Sequence, residues 1–337
     1  SLVHLNLSSC FLRDFRSIGI LPLDPTNPQN CPNHIRVLDL SSNHFSLLPP
    51  ATFASVTELE ELTLDLNSIT IAAERALLGL TQLKVIRLAG NQLTSLPPEF
   101  FKDNRALKEI HLGNNSLSVI APGLFSGLEH LVVLDLAHNE LTTEWVNGET
   151  FRGLVRLIVL NLAHNDLTKV DTILFRDLSS LQVLNLESNQ ISVIAEGAFG
   201  GMYNLHTLLV SHNDLKIIDP FICNGLFVLS FLALDNNGIT SVAPNSFQNC
   251  SNLIDLNLSG NKLDRIPEAL TTLSLLKTLD LGENKIQDIR NASYQHLGSL
   301  YGLRLTDNLI ENVPASAFSD LPSLKIINLA KNNITSV

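Results

Sequence analysis

Eleven residues, Leu131 to Leu141 (LVVLDLAHNEL), constrain the fold more than any other stretch, because their pattern L-x-x-L-x-L-x-x-N-x-L recurs from one end of the chain to the other. A short strand with one leucine face has nothing to bury that face against, so one copy alone is no folding unit, whereas stacked copies are. Leu131, Leu134 and Leu136 are expected to point inward, and Val133, Asp135 and Ala137 outward, by the period-two alternation of a strand. Asn139 then turns the chain, and its amide can satisfy backbone groups of its own turn and of a neighbouring copy. The return half of each copy carries F-x-x-L, as in Phe125 with Leu128 and Phe175 with Leu178, and these aromatics are expected to stack as a spine.

The turn position recurs at Cys10, Asn43, Asn67, Asn91, Asn115, Asn139, Asn165, Asn189, Asn213, Asn237, Asn261, Asn284, Asn308 and Asn332, which makes 14 copies, most of them 24 residues apart. Three spacings depart from that value: 33 residues from Cys10 to Asn43, 26 from Asn139 to Asn165, and 23 from Asn261 to Asn284. The first reads as an irregular surface insertion over 11–34, since Pro22, Pro25, Pro28 and Pro32 fall in it among several Asn. The second places the sole tryptophan, Trp145, in a lengthened turn, either filling a local gap or exposed as a contact residue. A length of 337 residues would ordinarily suggest two domains, but a repeat that keeps its register predicts a single array over 1–337.

Such an array is expected to fold as a horseshoe-like solenoid. One short strand per copy would line a concave parallel sheet, and the convex side would hold turns, short extended pieces and little helix. Hydrophobic residues make up 45% of the chain with only three Tyr and one Trp, so the core is a leucine core. The terminal copies show no capping modules, and no segment approaches the roughly 18 apolar residues that cross a bilayer. The expectation is therefore a piece of a longer array whose caps and membrane segment lie elsewhere.

Cys10 occupies a turn position, Cys223 an aromatic slot and Cys250 the leucine slot of F-x-x-L, all of which suit buried thiols. Cys31 lies in the Pro-rich insertion. Two disulfides remain open on the same residues, Cys10 with Cys31 and Cys223 with Cys250. Six N-glycosylation triplets, at Asn6, Asn114, Asn249, Asn257, Asn291 and Asn333, favour a secreted or ectodomain setting. Asn6 and Asn257 fall at outward strand positions, where a glycan would block that patch of the concave face.

Chemistry is absent from the pattern: no HExxH, no CxxC pair, no GxSxG and no glycine-rich phosphate loop occurs, so neither an enzyme nor a cofactor is expected. His138, His164 and His212 recur just before the turn Asn, and without a completing cysteine or carboxylate column they read as a solvated face and not a metal site. The outward positions lean acidic, with Asp39, Glu61, Asp65, Glu109, Asp135 and Glu187 in one stretch and Asp235, Asp255 and Asp280 beyond it, against Arg87 and Arg304. That face suits a basic protein ligand, although Asp between strand leucines is also a common filler of such repeats. A net charge of −11 argues against nucleic acid, whose binding rests on Lys and Arg neutralising phosphates.

The repeat wording reads as an α/β-type leucine-rich-repeat solenoid and is similar to the typical animal extracellular class. More narrowly, FRGLVRLIVLNLAHNDLTKVD (151–171), YNLHTLLVSHNDL (203–215), LLKTLDLGENKI (275–286) and LKIINLAKNNITSV (324–337) resemble the ectodomains of insect Toll receptors, closest to the long Toll branch. The resemblance implies a single-pass receptor on the extracellular side of the plasma membrane, acting in innate immune or developmental signalling. It further implies a ligand that is a Spätzle-like cystine-knot cytokine or another Toll ectodomain, and signalling through a cytoplasmic TIR domain that this chain lacks. The alternative is a cell-adhesion receptor or matrix protein with the same repeats, engaging partners in trans.

Overall fold

The computed structural model describes residues 2–20, 34–289 and 294–337. Two compact units divide the chain, residues 1–166 and 167–337. Both are solenoids of parallel strands with almost no helix, as the spacing predicts.

In the first unit the strands are β1 (His4–Asn6), β2 (Val37–Asp39), β3 (Leu47–Leu48), β4 (Glu61–Thr63), β5 (Ile71–Ala72), β6 (Val85–Arg87), β7 (Glu109–His111), β8 (Val133–Asp135) and β9 (Val159–Asn161). Seven of them form one parallel sheet in the order β1-β2-β4-β6-β7-β8-β9, and β3 pairs with β5 on the flank. The register steps by one copy, so Leu38 faces Leu62, Ile86 faces Ile110, and Leu134 faces Leu160. All six of these side chains are fully buried.

The second unit repeats the plan with β10 (Lys169–Val170), β11 (Val183–Asn185), β12 (Val193–Ile194), β13 (Thr207–Leu209), β14 (Ile217–Ile218), β15 (Phe231–Ala233), β16 (Ser241–Val242), β17 (Asp255–Asn257), β18 (Thr278–Asp280), β19 (Gly302–Arg304) and β20 (Ile326–Asn328). Seven strands again form a parallel sheet, β11-β13-β15-β17-β18-β19-β20, with two flanking pairs, β10-β12 and β14-β16. Among the described residues 3₁₀ turns span Phe15–Ile18 and Glu268–Thr272.

The turn asparagines explain why the coils stack at a fixed spacing. Asn139 Nδ2 donates to the carbonyls of Leu136 (3.0 Å) in its own coil and Leu112 (3.1 Å) in the preceding one, while its Oδ1 accepts from the Leu117 amide (2.9 Å). Asn213 does the same in the second unit, donating to Val210 and Leu186 and accepting from Ile191. Each bond would otherwise be an unpaired buried backbone group, which costs more than a made bond returns. The residue before each such Asn has positive φ, for example 55° at His138 and 53° at His164, a conformation hostile to β-branched side chains.

On the return side the aromatic slots stack as expected, with ring centroids 6.2 Å apart for Phe101 and Phe125 and 6.5 Å for Phe175 and Phe199. At Cys223 the stack is replaced by a covalent bond: Cys223 and Cys250, in the aromatic slot of one coil and the leucine slot of the next, form a disulfide. These two cysteines are thus not the buried free thiols that their slots suggested. Asn104, in another leucine slot, is also fully buried and donates to the Leu77 and Leu80 carbonyls at 3.1 Å each, a second ladder contact on the return side.

Three further expectations change. Cys10 is exposed, because no coil precedes it among the described residues to cover its turn, and its Sγ donates to the Ser8 carbonyl at 3.4 Å. Cys31 lies outside the described residues, as do the four prolines of the insertion. The described start of that insertion is packed: Phe15 and Ile20 are buried, and the Phe15 ring stacks on Phe45 at 4.1 Å. Ala137, outward by register, is 5% exposed, and its equivalent Ala163 is 4% exposed, since a methyl just past the end of a strand is shadowed by the turns beside it.

Candidate functional site

Outward side chains on the strand face form two columns, one before and one after the central strand leucine. The second column has a backbone duty. Asp39 accepts from the Ser41 amide (2.9 Å) and Asp135 from the Ala137 amide (3.1 Å), each closing a turn two residues on. Asn6, Asn161, Asn185, Asn257, Asp280 and Asn328 make the same bond in their own coils. Where the column holds Asp or Asn the two serve alike, so the bond needs a short side-chain acceptor and not a charge, while Thr63, Arg87, His111, Leu209, Ala233 and Arg304 stand at the same register.

The acidic residues of the first unit therefore differ in availability. Asp39 also accepts from Asn6 Nδ2 at 3.1 Å. Asp65 sits past the strand end, half-buried, and accepts from the Ala89 amide at 2.7 Å. Burial pushes its carboxyl above the usual range, and the Asp39 charge adds to that, while the Ala89 hydrogen bond and the nearby Arg87 and His111 oppose it. Glu61 and Glu109 stand in the first column, free of turn duty. Glu61 is exposed, and Glu109 meets Arg87 at 3.6 Å and His111 at 3.1 Å. Beside them Arg36 and Lys84 converge on Glu60, with Lys84 Nζ at 2.5 Å, and that hydrogen bond holds the Glu60 carboxyl below its usual range. The face is acidic but laced with cations, a pattern that the count of outward acids did not reveal.

Glu187 belongs to the second unit and is partly exposed. There the face is more apolar: Phe231 is 36% exposed, and a depression of about 420 Å³ runs from it past Thr278 and Gly302 to Ile326. Arg304 closes its edge with bonds to Asp280 (3.1 Å) and Glu283 (3.6 Å). Asn257 lines the same depression.

Trp145 is 37% exposed in the lengthened turn, its carbonyl accepting from Thr150 Oγ1 and its amide donating to Thr142. Among the glycosylation triplets Asn6, Asn114 and Asn333 are exposed, Asn249 and Asn257 are partly so, and Asn291 lies outside the described residues. His138 and His164 stack face to face with centroids 4.0 Å apart. No group of three or more metal-ligating side chains gathers among the described residues, and none of their helices is long and apolar enough to cross a membrane.

Comparison with known proteins places this geometry. The leucine-rich-repeat family model matches residues 33–93, 81–141, 142–191, 155–215, 179–239, 227–286 and 298–337. No curated protein sequence matches the chain. Among solved structures it is similar to a leucine-rich-repeat protein of Leptospira interrogans, at TM-score 0.78 and 29% identity over 90% of this chain and 74% of that one. It is also similar to Toll in the Drosophila Toll–Spätzle complex, at TM-score 0.76 and 21% identity over 89% of this chain and 45% of that one. The structure of TLR13 with single-stranded RNA matches at TM-score 0.70 and 22% identity, over 89% and 51%. The chain thus spans about half the length of either receptor, and at these identities the likeness to the two receptors is one of fold.

Proposed function

Because the chain belongs to the leucine-rich-repeat family, a scaffold that typically presents one face for protein interaction, we propose that it is an extracellular ligand-binding region of a Toll-like transmembrane receptor acting in innate immune or developmental signalling. The observation that carries this reading is the first unit's strand face. Its buried positions are fully used by the fold, while Glu61 and Glu109 stand outside the repeated turn bonds. The Cys223–Cys250 disulfide supports an oxidising compartment, where such bonds persist. The five described glycosylation triplets support the same side of the membrane.

The partner class is a basic protein surface: a cystine-knot cytokine of the Spätzle type, or another Toll ectodomain. Similar folds bind protein in the Spätzle complex and RNA in the TLR13 complex. The net charge of −11 sets this chain with the former. Binding uses the first unit's strand face from Asp39 to Asp135, with Trp145 as a further contact. The region from Asp255 onward is kept clear of ligand by a glycan on Asn257.

The test is direct binding of the secreted chain, by surface plasmon resonance, to a basic cystine-knot cytokine and to Toll ectodomains. Cell-aggregation assays with the tethered chain run alongside. Saturable binding without aggregation is expected; aggregation in trans with no soluble ligand would favour an adhesion receptor instead.

A further inference from the structure

On the flank of the second unit, each coil-to-coil step is sealed by two backbone bonds wherever strands pair. Ser192 N donates to Thr168 O (3.0 Å) and Ala195 N to Val170 O (2.9 Å) between β10 and β12; Thr240 N donates to Lys216 O (2.9 Å) and Ala243 N to Ile218 O (3.0 Å) between β14 and β16. The step between β12 and β14 has neither bond, and the two strands belong to separate two-stranded sheets. By the same register, the carbonyls of Ser192 and Ile194 and the amides of Lys216 and Asp219 are left, among the described residues, without backbone partners across the step.

The opening is local. Above it, Asp214 N donates to Ile191 O at 2.9 Å, and below it Gly225 lies so close to Phe199 and Gly200 that a Cβ would collide with their backbone. Between those closures lies a cleft of about 450 Å³, within the size range of ligand sites. Ile194 shows the effect: Val170 and Ile218 at the equivalent position are buried at 0% and 1%, whereas Ile194 is partly exposed to the cleft. Val193, Ile217 and Phe221 add exposed apolar surface at 57%, 55% and 44%. Glu196 and Asp219 line the same cleft, while the Lys216 ammonium is turned to the next coil, against Gly238.

We propose that this cleft binds an extended segment of a protein partner, whose backbone completes the interrupted ladder between β12 and β14, with an apolar side chain over Ile194 and a basic one toward Glu196 and Asp219. Facing strand edges with unused donors on one side and unused acceptors on the other are met by a peptide backbone, which carries both at strand spacing. A fatty acyl chain would cover Ile194 but leave the four backbone groups unmet. The site is on the flank, away from the strand face, and stands independently of the ligand proposed for that face.

The probe is a fluorescent acetylated tetrapeptide amide, valyl-threonyl-valyl-arginine, compared with its N-methylated twin and with decanoic acid, on the intact folded chain. Saturable binding of the tetrapeptide is expected, together with slowed amide exchange at Lys216 and Asp219. The twin, lacking donors for the Ser192 and Ile194 carbonyls, should bind about tenfold more weakly. The double variant Glu196→Lys, Asp219→Lys, altered only at exposed side chains, should weaken the tetrapeptide and leave the melting curve unchanged. Equal binding of the twin, protection elsewhere on the chain, binding of decanoic acid alone, or no binding of any probe at millimolar concentration would overturn the proposal.

Discussion

A single amide side chain, repeated, sets the distance between coils, and its removal is the sharpest test at the residue scale. Asn139→Ala would strand the carbonyls of Leu112 and Leu136 and the amide of Leu117 in a buried turn. The cost should be about 2–4 kcal/mol in chemical denaturation, against under about 0.5 kcal/mol for an exposed control such as Glu140→Ala. The 24-residue spacing made this role legible, because only a contact between neighbouring copies demands one residue type at one place in each. The duty of Asp39 and Asp135 was not legible: an aspartate between two leucines looks the same whether it awaits a ligand or accepts from an amide two residues on. The signal lay in its exchange with Asn along the same column, at Asn6, Asn161 and Asn185. Asp65 yields a pH prediction. Burial raises its folded-state affinity for a proton above that of the unfolded chain, so its charged form weakens the fold as pH rises through its ordinary range, and the penalty is fully present above the raised value. Asp65→Asn keeps an acceptor for the Ala89 amide. It should therefore raise the melting temperature at pH 7 and change nothing near about pH 3, where both forms are neutral; a loss of stability at pH 7 would contradict the assignment.

At the scale of the element, strands, turns and aromatic slots follow from periodicity, but the joints between neighbouring coils do not. The coils bearing β12 and β14 keep the 24-residue spacing and carry apolar flank pairs, Val193–Ile194 and Ile217–Ile218, where the laddered neighbours have Lys169–Val170 and Ser241–Val242, yet no ladder joins β12 to β14. The disulfide was ambiguous for a related reason, since Cys223 and Cys250 fit slots that any small apolar side chain can fill. With its ends 27 positions apart in sequence, the bond restricts the unfolded chain. The double variant Cys223→Ala, Cys250→Ala should lose roughly 3 kcal/mol, and reductant should destabilise the native chain by a similar amount and the variant not at all. An equal response of both to reductant would show that the bond does not stabilise the chain.

For the whole molecule, the proposed function divides folding and recognition between the two faces of the same strands. Leu160, fully buried in β9, belongs to the first task. Leu160→Asp places an unpaired carboxylate between coils and should cost about 3–5 kcal/mol, seen as retention in the cell and a lowered melting temperature of any chain that is secreted. Glu61 and Glu109 are the residues proposed for the second, and they would isolate binding from folding better than Asp65 and Asp135, whose side chains hold turns together. The most direct measurement is the association rate of a basic cystine-knot cytokine with the native chain and with Glu61→Lys, Glu109→Lys, at low and at physiological salt. Reversal should slow association severalfold at low salt, with the difference shrinking as salt screens the face and with the melting curve unchanged. Equal rates at low salt, or a difference that salt leaves untouched, would contradict recognition by this face.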